Sequence, residues 1–316
     1  MKSLCLSPKH ALLAAPIALM TFAAQGHDRP TIQEMAEAEV PKRAEITLAP
    51  QKIDDSLTVL MGQGGFSGGN VLVSNGPDGM LIIDDKLPTM TDKLTEALDD
   101  IGGSAKLKYV LNTHWHLDHT GGNTKLGETA TIVAHTNVRK RLSTDQRVDV
   151  FDMVIPPQPA SALPQITYDE GLSIHFNGDE LRLMHMPASH TDTDTVIHLV
   201  GANVMHTGDL FFNGLFPFVD VQNGGNVLNL TKSIATLIET MPADVTIVPG
   251  HGPMATMDDL KNFHRMLEET TANVVALKEA GKSEAEIKQA GVPEKWAGWA
   301  WRLDAATWNG IILSSL

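Results

Sequence analysis

The chain has 316 residues, 42% of them hydrophobic and 20% charged, with a formal charge of −14 at pH 7. That is ordinary globular composition, enough for one large α/β domain or two small ones. The acidic balance repels phosphate backbones and lacks the basic footprint of a nucleic-acid binder, so nucleic acid is excluded as an expected partner.

The first 26 residues differ from the rest. Lys2 and Lys9 flank a start that runs into ALLAAPIALMTFAA, residues 11–24, which is shorter than the ~20 apolar residues of a membrane-spanning helix. Ala24-Gln25-Gly26 is a small-x-small cleavage site. Residues 1–26 therefore read as a secretory signal peptide, and the expected location is periplasmic or secreted, with no membrane attachment in the mature form. The single cysteine, Cys5, falls within this signal. The remaining chain has neither a disulfide to hold its fold nor a thiolate to bind metal or attack a substrate.

Residues 27–50 are polar with scattered prolines and read as a linker. A strand is expected over Ser56–Leu60, followed by the glycine-rich stretch GQGGFSGGN at 62–70. Val71–Ser74 and Met80–Asp84 form a hairpin around the turn Asn75-Gly76-Pro77-Asp78-Gly79. Leu94, Leu98 and Ile101 share one face of a helix over residues 89–101. Strands follow at Leu107–Leu111 and Thr129–Ala134, then a basic helix ending near Arg141. The proline-rich segment 152–168 reads as a long surface loop. Leu172–Phe176 and Glu180–Met186 make a second hairpin around Asn177-Gly178-Asp179. Strands at Thr195–Val200 and Val204–Thr207, a helix over Asn226–Glu239 and a buried strand at Val245–Val248 complete the sheet pattern. After Asp258 the chain is mostly helical. Ser283 and Glu286 form a capping box there, and Trp296, Trp299, Trp301 and Trp308 read as core packing. Hairpins alternating with helices imply two mixed sheets with helices outside.

LNTHWHLDHTGGN, residues 111–123, places His114, His116, Asp118 and His119 at the mouth of a strand. An extended backbone puts residues i and i+2 on one side, so His114 and His116 can aim at one point. Gly121 and Gly122 permit a tight turn from which Asp118 and His119 project toward a neighbouring point. Two cations about 3.5–4 Å apart could share such a mouth. Imidazole and carboxylate ligands suit Zn²⁺ and also admit iron or manganese. The missing ligands should also lie at strand ends, and His190 in MPASHTDTD, Asp209 in HTGDLFF and His251 in VPGHG do so.

The order H-x-H-x-D-H, a lone His, G-D and P-G-H-G resembles the metallo-β-lactamase superfamily of metallohydrolases over about residues 56–255. The resemblance implies a four-layer αββα sandwich of two mixed sheets flanked by helices. It would comprise a catalytic domain over residues 51–262 and a C-terminal helical extension over 263–316. It also implies two Zn²⁺ per chain. One would be held by His114, His116 and His190, the other by Asp118, His119 and His251, with Asp209 bridging. Asp118 and Asp209 would orient a shared hydroxide that attacks a carbonyl of a β-lactam, lactone, ester or thioester. Thr120, Thr191 and Asp192 are adjacent candidates for fixing the imidazole tautomers.

The substrate is less legible. An aspartate at position 209 is similar to the glyoxalase II and lactonase branches, whereas many β-lactamases carry cysteine there and a lysine three residues on. That later position is Phe212, and no Lys or Arg occurs from Leu210 to Thr231. Phe66 and Phe212 are expected to wall a small-molecule pocket, with Asn70, Asn213 and Asn226 offered as hydrogen-bond donors. Two readings from other classes remain: a mono-iron oxidoreductase of the persulfide dioxygenase type, and a non-catalytic metal-binding accessory protein. Metal content separates the three. The sequence is silent on oligomeric state.

Overall fold

Strand-forming runs of Val, Ile and Leu dominate the computed structural model, which describes residues 44–316. The expected signal peptide and most of the expected linker lie outside the described residues. Thr47–Lys52 (β1), Leu57–Gln63 (β2), Val71–Gly76 (β3) and Gly79–Ile83 (β4) form an antiparallel meander. The chain continues through Leu107–Leu111 (β5) and Thr131–His135 (β6). A two-stranded ribbon of Gln146–Val148 (β7) and Met153–Ile155 (β8) follows, then Ile166–Tyr168 (β9). β5, β6 and β9 join the meander in parallel, giving a seven-stranded sheet in the order β1-β2-β3-β4-β5-β6-β9. Gly171–Phe176 (β10), Asp179–His185 (β11), Thr195–Leu199 (β12), Val204–Phe212 (β13) and Thr246–His251 (β14) form a five-stranded sheet in chain order. It is antiparallel except between β13 and β14.

The central strands are covered on both faces, which is why β12 and β13, like most of β3 and β4, are continuous apolar or buried runs rather than alternating ones. In β3, Leu72 faces Leu181 and Ile197 in the core between the sheets. Val71 and Val73 turn the other way, toward Leu94 and Leu98 of the helix Thr91–Ile101 (α1). Two short helices, Leu117–Thr120 (α2) and Asn123–Leu126 (α3), follow β5, and Thr136–Leu142 (α4) follows β6. The outer face of the second sheet packs on Val227–Thr240 (α5), Met257–Glu279 (α6) and Ala305–Ser315 (α8), with Glu284–Gln289 (α7) between the last two. The result is an αββα sandwich with a C-terminal helical region on the same core.

The structure corrects several boundaries. β1 begins inside the expected linker, where edge-strand pairing with β2 supplies an order that its polar composition does not advertise. The supposed loop 152–168 contains β8 and β9, and β9 is the edge strand of the seven-stranded sheet. β13 runs on to Phe212, so Asp209 lies within a strand rather than after one. The boundary expected at 262 falls inside α6, whose start is fixed by a Thr256–Asp259 capping box. Of the four C-terminal tryptophans, Trp296 and Trp308 are core residues, whereas Trp301 is 57% exposed.

Candidate metal centre

The seven residues named as ligands from the sequence converge between the ends of the two sheets. β5 delivers His114 and His116 on an extended segment, and the N-terminal turn of α2 adds Asp118 and His119. His190 comes from the loop between β11 and β12, Asp209 from within β13, and His251 from the last position of β14. One ligand atom from each of His114, His116, His190 and Asp209 lies within 4.8 Å of the others. The same holds for Asp118, His119, Asp209 and His251. Asp209 is common to both groups. Its Oδ2 is 3.8 Å from His114 Nε2, 3.6 Å from His190 Nε2 and 3.4 Å from His251 Nε2, while its Oδ1 is 3.0 Å from His119 Nε2.

Backbone irregularity aims that carboxylate. Gly208 has φ +52°, and the register between β13 and β14 shifts on either side of it. A bulge with glycine in the left-handed region re-aims the neighbouring side chain, here Asp209. Across the pair, a Cβ on Gly250 would overlap Asp209 Oδ1, so only glycine leaves room for the carboxylate.

The hydrogen bonds at the back of the cluster decide what its front can do. His190 Nδ1–H donates to Phe218 O at 2.6 Å, and His116 Nε2–H donates to Asp220 Oδ2 at 3.0 Å. Thr113 Oγ1 donates to Asp84 Oδ2 at 2.8 Å, so His114 Nδ1–H donates to Thr113 Oγ1 at 3.0 Å. Each imidazole then carries a lone pair on its inner nitrogen. Those nitrogens face one another: His116 Nδ1 is 3.1 Å from His114 Nε2 and 2.9 Å from His190 Nε2. Converging lone pairs in a buried space are unfavourable unless a cation lies among them. The donor set thus fits a metal ion, and imidazole with carboxylate suits Zn²⁺, iron or manganese.

The electrostatics differ on the two sides. Burial first, then the charges of neighbouring histidines, pushes His114 well below its ordinary value, and burial brings His190 down to about 4. Both are therefore neutral, as ligands must be. Burial would lower His119 and His251 as well, but Asp209 and Asp118 outweigh it and raise His251 to about 9. Asp118 resists its own burial and is held at about 2 by His119 and His251.

Three supporting residues were missed at the sequence level. Asp84, at the end of β4 with φ +62°, accepts from Thr113 N at 2.8 Å and is 2.7 Å from His119 Nδ1. Asp220 holds His116, as described. Arg302 lines the pocket in front of the cluster. An acid interrupting an apolar run, as in MLIIDDK or FPFVDV, was the available signal for the two aspartates. The residues offered instead have other partners. Asp192 is paired with Arg141 at 2.6 Å, Thr191 with Asp194, and Thr120 with backbone carbonyls of its own turn.

The pocket has a volume of about 220 Å³ and opens onto His116, Asp118, Asp209 and His251. Phe66 and Phe212 line it, each stacked on the His251 ring, at 5.7 Å and 4.9 Å. The three asparagines do not line it, which corrects their expected role. Asn70 Nδ2 donates to Pro249 O and Gly252 O, both at 2.9 Å, and so shapes the turn that carries His251. Asn213 Nδ2 donates to Pro253 O at 3.1 Å. Asn226 caps α5, accepting from Leu228 N and Asn229 N.

A His/Asp cluster with the donor set of a metal site, carried between two sheets of an αββα sandwich, is a candidate metal centre in a fold of metallohydrolase type. Residues 65–251 match the metallo-beta-lactamase superfamily, and the chain belongs to that family. Hydroxyacylglutathione hydrolase GloC of Haemophilus influenzae is 26% identical over 196 residues, covering 56% of this chain and 89% of the relative. Among solved structures, a metallo-beta-lactamase from Pontibacter korlensis aligns with a TM-score of 0.56 at 18% identity, covering 70% of this chain and 99% of that one. A variant of the sec-alkyl sulfatase PisA1 from Pseudomonas sp. aligns with a TM-score of 0.62 at 15% identity and covers 84% of this chain. The chain spans about half the length of that sulfatase, 49%.

Proposed function

We propose that the protein is a dinuclear zinc hydrolase that cleaves an acyl bond in a small molecule bearing an apolar group. The observation that carries this reading is Asp209, shared between two complete ligand groups. When bound, two zinc ions would supply the Lewis acidity that ionises water near neutral pH and polarises a carbonyl. The chain's own residues do the rest. Asp118 and Asp209 stay ionised and accept hydrogen bonds from the attacking water, which orients it. His116 and His190 are held by Asp220 and by the Phe218 carbonyl, so their rings are in place before substrate arrives. Phe66 and Phe212 exclude solvent around the reacting bond and seat the apolar group.

A thioester is a specific second choice within this reading, because the GloC relative is named a hydroxyacylglutathione hydrolase. A mono-iron oxidoreductase is disfavoured by the full second ligand group. With its expected signal peptide, the enzyme would work in the periplasm or outside the cell. The test is a chromogenic panel on zinc-loaded protein: cephalosporin, lactone, thioester, phosphodiester and sulfate ester. Turnover of the cephalosporin, lactone or thioester is expected. Turnover confined to the phosphodiester or sulfate ester would overturn the acyl-bond assignment.

A further inference from the structure

Arg141, near the C-terminal end of α4, directs all five of its N–H donors at other segments of the chain. Its fork grips the Asp192 carboxylate, with Nε 2.6 Å from Oδ1 and Nη2 2.8 Å from Oδ2. The second Nη2–H donates to Asn223 O at 3.0 Å. The two on Nη1 donate to Asn223 Oδ1 and Gln146 Oε1, both at 2.9 Å. The side chain is 19% exposed. Its guanidinium carbon lies 5.8 Å from the centroid of the fully buried Trp115 ring, within reach of a cation–π contact.

These partners belong to the segments that carry the three-histidine ligand group. Asp192 stands two residues past His190, and its N–H donates to Asn223 O at 3.2 Å. Asn223 donates to the Asp220 carboxylate from its backbone at 3.2 Å and from its amide at 2.8 Å. That carboxylate also accepts from His116 Nε2–H. Asp220 N–H donates to His190 O at 2.8 Å, so the two loops meet there and Arg141 closes the junction from behind. Trp115 separates His114 from His116 in the chain. Asp84, which supports His119 in the other group, lies outside this set. Only a planar fork serves so many acceptors at once. A lysine ammonium has three donors on one point and cannot span Asp192, Asn223 and Gln146 together.

We propose that Arg141 is a positioning residue for one of the two ions. It fixes His116 and His190 relative to each other before metal arrives, and so sets the affinity of the three-histidine site without touching the ion. The assignment rests on the two-ion centre proposed above and is independent of the bond that is hydrolysed.

The probe is cadmium. Loaded with the spin-½ isotope, the full chain should give one NMR resonance per ion. The site with three imidazole nitrogens is distinguished from the site with two imidazoles and a further carboxylate. Each resonance is followed against a graded chelator for wild type, Arg141→Lys and Arg141→Gln. The control on the same helix is Arg139→Gln, whose partner is Pro164 O. In both Arg141 variants the three-imidazole ion is expected to leave about tenfold more readily, with the other ion unchanged. The control should match wild type. Arg141→Lys combined with Asp220→Asn should cost less than the product of the separate effects, because both act on His116 through one run of hydrogen bonds. Arg141→Lys keeps the charge and carries the test should Arg141→Gln not fold. Wild-type affinity in Arg141→Lys, equal weakening of both ions, or a full product in the double variant overturns the proposal and leaves the two-ion centre standing. A single resonance from the wild-type chain sinks that centre, and this assignment with it.

Discussion

Asp220 is the residue at which support and ligation can be separated. Its carboxylate is buried and faces donors only: His116 Nε2–H at 3.0 Å, Asn223 N–H at 3.2 Å and the Asn223 amide at 2.8 Å. His116, Asn223 and His190 keep it ionised against its burial. Asp220→Asn preserves shape but replaces one acceptor oxygen with a donor, so one of those hydrogen bonds must be lost, and the negative charge behind His116 goes with it. Removing a carboxylate that orients a ligating imidazole weakens metal binding by about 10–100-fold. Because an amide oxygen can still face His116, the lower end applies, about tenfold or ~1.4 kcal/mol. The loss should fall on the ion held by His114, His116 and His190. Competition with a graded chelator, read by elemental analysis, should show one ion leaving the variant about tenfold more readily while the other is retained. Retention of both ions at wild-type affinity would refute the reasoning. Equal loss of both would also refute it, since it would make Asp220 a prop of the loop rather than of His116.

Gly250→Ala should fold but lose metal and activity together, because the new methyl group occupies the place of Asp209 Oδ1; zinc content beside circular dichroism reads both. Trp308→Ala removes a fully buried ring stacked on Phe216 and the donor to Thr270 Oγ1, and should cost about 3–5 kcal/mol in urea denaturation. His135 and His185 stack at 3.8 Å, away from the metal cluster. Burial first, and for His135 the facing His185, lowers the pKa of each below the ordinary 6.5. A lowered histidine favours the neutral form in the folded state. Its contribution is therefore complete above pH 6.5 and is lost as pH falls through the lowered value. His135→Asn should flatten the fall in denaturation midpoint between pH 7 and pH 5; an unchanged slope would deny the pair this role.

The parts of this protein that were legible in its sequence are those written locally. Hairpin turns such as 75–79 and 177–179 announce themselves through glycine and asparagine, and β5 was bounded correctly because apolar residues end where the histidines begin. The ligand groups were legible for a similar reason: the candidates follow apolar strand-like runs and stand near small residues, although Asp209 lies inside β13 and Asp118 and His119 lie in a helical turn. What was missed depends on contacts distant in the chain. β1 and β9 are short edge strands whose order comes from pairing with β2 and β6. Asp84 and Asp220 act through histidines 35 and 104 positions away. The asparagines looked like free donors because nothing in the sequence shows that Asn70 is already bonded to the turn at 249–252. Trp301 read as generic core packing and Arg302 drew no reading, and only the return of the C-terminal segment to the pocket distinguishes them.

Asp209 stands between the two ligand groups, so its removal tests the whole arrangement at once. Elemental analysis of the purified chain should find about two zinc per wild-type molecule and less than one in Asp209→Ala, with both ligand groups weakened. A single ion held equally well by wild type and variant would contradict a shared dinuclear centre.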